Sequence, residues 1–355
     1  MQPIDLAIVL SLAFIISFLL FPVLIKLLRK LEVYDVIKEH KIHDSYTPSM
    51  GGIAIYAGMI LALTVVLPFQ EWISLKYFFI SLSLMFLIGL RDDVLGLSPI
   101  KKLLGQLLPI TILVIFGQLF LEASLFSFPF ADLPKWVNAF ITIITIVLIT
   151  NSYNLIDGLD GLAGTIGAIC LLIFSVWFYF TGNIPLGLVA VSAVGSLLAF
   201  LLFNWQPSRI FMGDTGALLI GLLLSFYALQ FLNTNEALLP GHPMKWQSSF
   251  GALVCLLIIP VFDTSRVVIL RLRKGLSPFK ADKNHLHHQF LKLGFSHSKS
   301  VISIGLINLL FIVLAWLMKD QSDLVILPLV VILCLFINFG LKWAQKHAAN
   351  NNQTI

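Results

Sequence analysis

The 355-residue chain is 58% hydrophobic and only 12% charged, half the roughly 25% charged fraction of an ordinary soluble domain. A soluble enzyme is excluded, and about 206 apolar residues suffice for ten or so membrane helices of about 20 residues each. The net charge of +5 has no basic, aromatic-interleaved soluble segment behind it, so no nucleic-acid partner is expected and the surplus reads as topology.

In chain order, the first apolar run, Ile4 to Leu28, lacks a basic start and exceeds a signal-peptide core in length, so it is expected to persist as the first span. Further apolar stretches follow, and about eleven centre near residues 16, 60, 83, 112, 144, 171, 195, 224, 259, 308 and 332. The third, from Lys76 to Leu90, is the weakest because it is short. The pattern predicts an all-α polytopic integral membrane protein with about eleven transmembrane helices. Loops near 29–50, 91–103, 152–160, 204–215 and 271–298, with the tail from Lys342, hold about 16 Lys and Arg, against Lys135, Lys245 and Lys319 in the opposite set. The positive-inside rule therefore puts the amino terminus outside and the tail in the cytoplasm. Residues 1–341 read as a single transmembrane catalytic domain and 342–355 as a short polar tail. Cys170, Cys255 and Cys334 each lie in an apolar run without metal-type spacing, so neither a metal site nor a disulfide is expected from them.

Five groups of polar residues remain, all on the predicted cytoplasmic side. Arg91-Asp92-Asp93, with Lys101-Lys102 following, puts two acids at a helix carboxyl end where the dipole disfavours them. Something positive must compensate, and a plain surface turn partnered by Arg91 and the lysines is the alternative. Asn151-Ser-Tyr-Asn154-Leu-Ile-Asp157-Gly158-Leu-Asp160-Gly161 steps its polar residues by three, so a helix there would carry Asn154, Asp157 and Asp160 within an arc of about 120°. Gly158, Gly161 and Gly164 share that period and allow close approach of a ligand or a second helix. In Phe211-Met-Gly-Asp214-Thr215-Gly, an N-cap by Asp214 or Thr215 is the simplest account.

The loop from Arg271 and Arg273 to His285, His287 and His288 has the wrong histidine spacing for a helical zinc site. It reads better as an anion site, since histidine and arginine both donate to phosphate oxygens, although basic residues alone would suit a loop drawn to anionic lipid. Asp263 and Arg266, three apart, read as an intrahelical ion pair. Carboxylates beside basic groups suggest a divalent cation holding a phosphate, hence a membrane-embedded phosphotransferase using Mg²⁺ or Mn²⁺. A transporter is the competing class, but its polar groups would lie near the bilayer midplane.

These motifs, with Pro48-Ser-Met-Gly51-Gly52 and Asn284-His-Leu-His-His, resemble the polyprenyl-phosphate N-acetylhexosamine-1-phosphate transferases over nearly the whole chain. The run Lys280-Ala-Asp-Lys-Asn-His285 is similar to the branch that starts O-antigen, common-antigen or teichoic-acid linkage synthesis. Pro48-Ser49-Met50 is closer to the peptidoglycan branch, which uses a UDP-muramoyl pentapeptide. The resemblance implies a bacterial inner-membrane enzyme that moves a sugar 1-phosphate, N-acetylglucosamine foremost, from a UDP-N-acetylhexosamine to undecaprenyl phosphate, releasing UMP. It implies Asp214 as metal ligand, displacing the capping reading, with Asn154 helping to hold metal and diphosphate. Asp92 would serve as base, orienting group or nucleophile, with Asp93, Asp157, Asp160, His287 and His288 completing the catalytic set. Lys102, Gly158, Phe211, His285, Arg271 and Arg273 would bind substrate, and the family analogy extends to a homodimer.

Overall fold

The computed structural model describes residues 3–32, 47–125, 128–276 and 285–351. Among these the architecture is helical, apart from a two-residue antiparallel ribbon pairing Ser124 with Pro129 and Leu125 with Phe128. Eight helices are long and apolar enough to cross a membrane, or nine when one bent pair is joined. Helix α1 (Pro3–Lys30) is followed by α2 (Gly52–Val66), the short α3 (Phe69–Ser74) and α4 (Lys76–Leu95). Then come α5 (Pro99–Thr111), continued by a wider turn over Ile112–Phe116, and α6 (Lys135–Leu155). Helices α7 (Leu162–Phe180), α8 (Ile184–Asn204) and α9 (Gly213–Ala237) form the middle of the chain. Five helices close it: α10 (Ser249–Leu256), α11 (Ile258–Arg273), α12 (Leu286–Lys292), α13 (His297–Leu317) and α14 (Asp323–Asn351).

Each of the eleven expected centres falls on or beside a helix, but eleven straight spans do not follow. Helix α2 has 15 residues, about 22 Å at 1.5 Å per residue, short of a roughly 30 Å hydrocarbon core. The run centred near 259 breaks between α10 and α11 with a bend of 80°. Its cause is Pro260, which lacks the N–H that would bond the carbonyl of Leu256 and whose ring crowds that carbonyl. The freed Leu256 oxygen accepts instead from Asn308 Nδ2 (3.1 Å) and the Cys170 thiol (3.1 Å). At the far end, α14 runs through position 341 without interruption, so the expected boundary between core and tail lies inside a helix.

Helix α9 is the axis of the fold: 94% of its span is buried, against 17% for α14. Helices α2, α4, α6 and α7 pack around it, while α1 packs chiefly on α2 and α8. The contact of α4 with α9 is close enough to need a glycine, since a Cβ on Gly89 would lie 2.5 Å from the carbonyl oxygen of Asp214 and 2.6 Å from Thr215 Cα. The carboxyl end of α4 is thereby pressed against the amino end of α9, the geometry on which the polar site depends.

Candidate active site

Asp92 and Asp93 fall in the last turn of α4 and separate into different tasks. Asp93 receives the backbone N–H groups of Asp214 (2.7 Å) and Thr215 (2.9 Å), and the Thr215 hydroxyl as well. It therefore caps α9 from another helix, and the capping role expected of Asp214 or Thr215 belongs to Asp93, with both its oxygens engaged. The cap position itself is Met212, with no side-chain bond, and Gly213 turns the chain with φ +70°. A Cβ there would meet Asp93 Oδ2 and Ser49 Oγ at 2.6 Å.

Because Asp93 satisfies the helix end, the Asp214 side chain is free to turn outward. Its Oδ1 accepts from Asn154 Nδ2 (2.6 Å) and from the ammonium of Lys102. Lys102 also reaches Asp92 Oδ2 (3.1 Å) and Asn154 Oδ1 (3.2 Å). Asp92 in turn takes the N–H of Leu97 on its other oxygen (2.8 Å) and is buried at 6% exposure. The compensating charge expected for these acids is thus Lys102, whereas Arg91 and Lys101 are exposed. Three oxygens from α4, α6 and α9 converge on one cationic nitrogen from α5. Gln106, one turn beyond Lys102 on α5, fixes the register through a reciprocal amide pair with Asn151 (2.8 and 3.3 Å), as the i, i+4 spacing permits.

The expected polar stripe of Asn154, Asp157 and Asp160 does not form, because α6 ends at Leu155 and residues 156–161 are turns. Only Asn154 joins the cluster. Tyr153 Oη bonds the carbonyl of Ala163 (2.6 Å), and Asn204 Oδ1 accepts the N–H of Gly161 (2.7 Å), so the turn is held from below. Gly161 packs on Trp205 and Gly164 on Leu201, which bears out helix packing for those two glycines. Gly158 differs: a Cβ there would stand 3.0 Å from His287 Nε2. Asp157 is half-buried, and Asp160 points to His297, 3.9 Å from its ring nitrogen.

The histidines are held by Asp263, a residue the sequence offered only as an ion-pair partner. Its Oδ1 accepts from Arg266 Nη2 (2.9 Å), as expected, and also from the backbone N–H of Leu286 (2.7 Å). Its Oδ2 lies 2.9 Å from Nδ1 of the buried His285. His285 and His287 stack with centroids 5.7 Å apart, and His288 follows at 4.3 Å from His287. His287 is buried, and its Nδ1 has no hydrogen-bond partner among the described residues. Burial, reinforced by His288, pushes its pKa down to about 3, so His287 is neutral near pH 7. Gln345 of α14 donates to the carbonyl of Gln289 (3.1 Å), bracing α12 from outside.

Arg271 is buried near this segment's origin, whereas Arg273 is exposed. Two residues on a helix lie about 200° apart, so they cannot share one site, and Arg273 stands outside the cluster. Residues 280–284 of the histidine motif lie outside the described residues. Phe211 is half-buried, and its backbone pairs with the first loop through N–H to Pro48 O (2.9 Å) and O from Gly51 N–H (2.8 Å).

Residues 75–232, which include Asp92, Lys102, Asn154 and Asp214, match the profile of glycosyl transferase family 4. The chain is also 31% identical over 332 residues to a probable undecaprenyl-phosphate N-acetylglucosaminyl 1-phosphate transferase of Bacillus subtilis (strain 168), covering 92% of this chain and 89% of that one. The chain belongs to the polyprenyl-phosphate N-acetylglucosamine-1-phosphate transferase family. A decaprenyl-phosphate N-acetylglucosaminephosphotransferase of Mycolicibacterium smegmatis is 31% identical, over 76% of this chain and 71% of the relative. An undecaprenyl-phosphate alpha-N-acetylglucosaminyl 1-phosphate transferase of Escherichia coli O157:H7 is 26% identical, over 91% and 87%. The matched region is helical, and Asp92, Asp93 and Asp214 lie at helix ends rather than at mid-span.

Proposed function

We propose that this protein transfers N-acetylglucosamine 1-phosphate from a UDP-sugar to a polyprenyl phosphate, undecaprenyl phosphate foremost, at the cytoplasmic face of a bacterial membrane. The observation that carries the reading is the convergence of Asp92, Asn154 and Asp214 on one cation at the ends of membrane helices. A phosphate oxygen of the lipid attacks the sugar-bound phosphorus of the donor. The new P–O bond forms as the bond from that phosphorus to the bridging diphosphate oxygen breaks, so UMP departs and a lipid diphosphate sugar remains. A phosphate monoester is already largely ionised near neutrality, so Asp92 need not remove a proton. Its fixed place beside Lys102 suits it to orient the lipid phosphate, with the ammonium offsetting the charge of the approaching anion.

The donor atoms suit a hard divalent cation. Asp214, Asn154 and Asp92 offer only oxygen to the point now taken by the Lys102 ammonium, which stands in for a metal. Among the described residues no set of three His, Cys, Asp or Glu side chains could hold a metal. Asp214 with Asn154 would thus supply a minority of the ligands of Mg²⁺, or of Mn²⁺, leaving the rest to diphosphate and water, as Mg²⁺ usually prefers. When bound, that cation would neutralise charge on the diphosphate. Lys102 would then swing toward Asp92 and the lipid phosphate. His287 beside Gly158, with the rings of His285 and His288 against it, would face the donor's diphosphate or sugar, with Phe211 and Asp157 toward the nucleoside. A homodimer is part of the same reading by kinship alone.

UMP release by the purified protein tests the reading, given undecaprenyl phosphate, Mg²⁺ and a panel of UDP-sugars in parallel. Release should require the lipid, the cation and UDP-N-acetylglucosamine. Asp214→Asn should remove it by at least 100-fold while the protein melts within a few degrees of the native chain. Retained turnover in Asp214→Asn, or turnover with the muramoyl-pentapeptide donor alone, would overturn it.

A further inference from the structure

A second polar feature is built by helices that do not contribute side chains to the carboxylate cluster. Between the carboxyl end of α1 and the segment after α8 is a cavity of about 350 Å³, lined by Pro22, Ile25, Lys26, Arg29, Phe203 and Arg209. Among the described residues that line it, half are cationic and none is acidic. The Arg209 guanidinium rests over the Phe203 ring, 5.6 Å from its centroid, which leaves its N–H edge for an oxygen ligand. Among the described residues neither Lys26 nor Arg209 has a carboxylate partner. The carboxylate cluster is built by α4, α5, α6 and α9, whereas this cavity belongs to α1 and α8, which pack on each other.

The cavity opens onto a lipid-facing surface. Leu19 and Val23 are 63% and 65% exposed and share a helical face with Pro22 and Lys26, at spacings of three and four. Leu202 beside Phe203 is 54% exposed. A cationic recess at a helix end, continuous with an apolar stripe running toward the bilayer centre, matches a molecule with an anionic head and hydrocarbon tails.

We propose that this cavity binds the phosphate headgroup of a diacyl anionic phospholipid, held by Lys26 and Arg209, with an acyl chain along Leu19 and Val23. Basic pockets between membrane helices are suited to such headgroups. Binding there is independent of sugar phosphate transfer at Asp214, so failure of either leaves the other standing.

The test titrates the full-length protein in neutral detergent with dioleoylphosphatidylglycerol or dioleoylphosphatidylcholine and counts bound lipid by native mass spectrometry. The anionic lipid should bind at least tenfold more tightly. The double variant Lys26→Gln, Arg209→Gln should weaken it about 25-fold, fivefold for each charge removed, with the zwitterionic lipid and the melting temperature unchanged. Should the double variant fail to fold, Lys26→Gln alone should still cost about fivefold. Equal binding of the two lipids, or native affinity in the variants, would overturn the proposal. So would displacement of the lipid by millimolar inorganic phosphate, which would mark a soluble-anion site. A tenfold rise in KM for polyprenyl phosphate in the double variant, with phosphatidylglycerol binding unaltered, would instead make the cavity an acceptor entrance and refute it.

Discussion

Replacing Asp93 separates a cap from a catalyst. In Asp93→Ala, the N–H groups of Asp214 and Thr215 lose acceptors at 2.7 and 2.9 Å, and the Thr215 hydroxyl loses its partner. An N-cap is worth about 1 kcal/mol and hydrogen bonds to a charged group about 1.5–3 kcal/mol each, so a loss of about 3 kcal/mol is expected after partial relaxation and water entry. With an unfolding entropy of roughly 2.1 cal/mol/K per residue, that lowers the melting temperature of a chain this size by about 4 °C. Asp93→Asn retains one acceptor and should lose about half as much. Because the cap positions Asp214, turnover should also fall, by about 100-fold for a displacement near 1 Å. The assay is a thermal melt in detergent beside UMP release. An Asp93→Ala protein that melts like the native one yet has no turnover would refute the capping account and restore Asp93 to the chemistry.

Three further outcomes follow from the same contacts. Asp263→Asn retains the acceptor for the Leu286 N–H and should keep the chain folded, but it loses the carboxylate oxygen that holds His285, lowering kcat 10- to 100-fold. Asp263→Ala, which strands the buried Arg266, should cost about 3–5 kcal/mol of stability, and an Asp263→Asn enzyme with native kcat would sink this role. The His287 pKa is depressed from 6.5 to about 3, so only the unfolded chain takes up that proton between those values. Its stabilisation is full above pH 6.5 and drains away as pH falls toward 3, by up to about 1.4 kcal/mol per pH unit. Melting curves of His287→Gln from pH 4 to 6 should be flatter than those of the native protein, and an unchanged slope would count against it. Gly89→Ala should abolish turnover by forcing α4 off the backbone of α9, whereas Gly96→Ala, with open space and φ +62°, should cost only about 1–2 kcal/mol. Equal damage at both positions, read by melting and UMP release, would contradict the close approach.

Helical class was legible because it rests on local signals, whereas a role for Asp214 beyond capping came from the family resemblance alone. Apolar runs mark helices. The Asp263–Arg266 pair was likewise readable at three residues. The second partner of Asp263 was not, since His285 is 22 residues away and no periodicity connects them. Asp93 and Thr215 are 122 apart, and adjacent acids give no hint that one faces a helix end and the other a lysine. The stripe of Asn154, Asp157 and Asp160 failed because α6 ends at Leu155, before the two acids, and the chain turns through Gly161, with φ +84°, into α7. Asp160 then meets His297, which no motif singled out. Pro48, Ser49 and Met50 suggested a different sugar branch, yet Ser49 and Met50 are buried and the loop docks by backbone on Phe211. Their side chains report on how that loop is packed.

The uninterrupted α14 has a practical corollary for anyone attaching reporters or affinity handles. Its far turns reach α12 through Gln345, so a junction at Leu341 would amputate a strut of the histidine segment along with the apparent tail. Such a fusion could insert in the bilayer with native topology and still be inert, and its silence would say nothing about orientation. Handles joined beyond Asn351 leave the strut in place, which makes the end of that helix the earliest sound point of attachment.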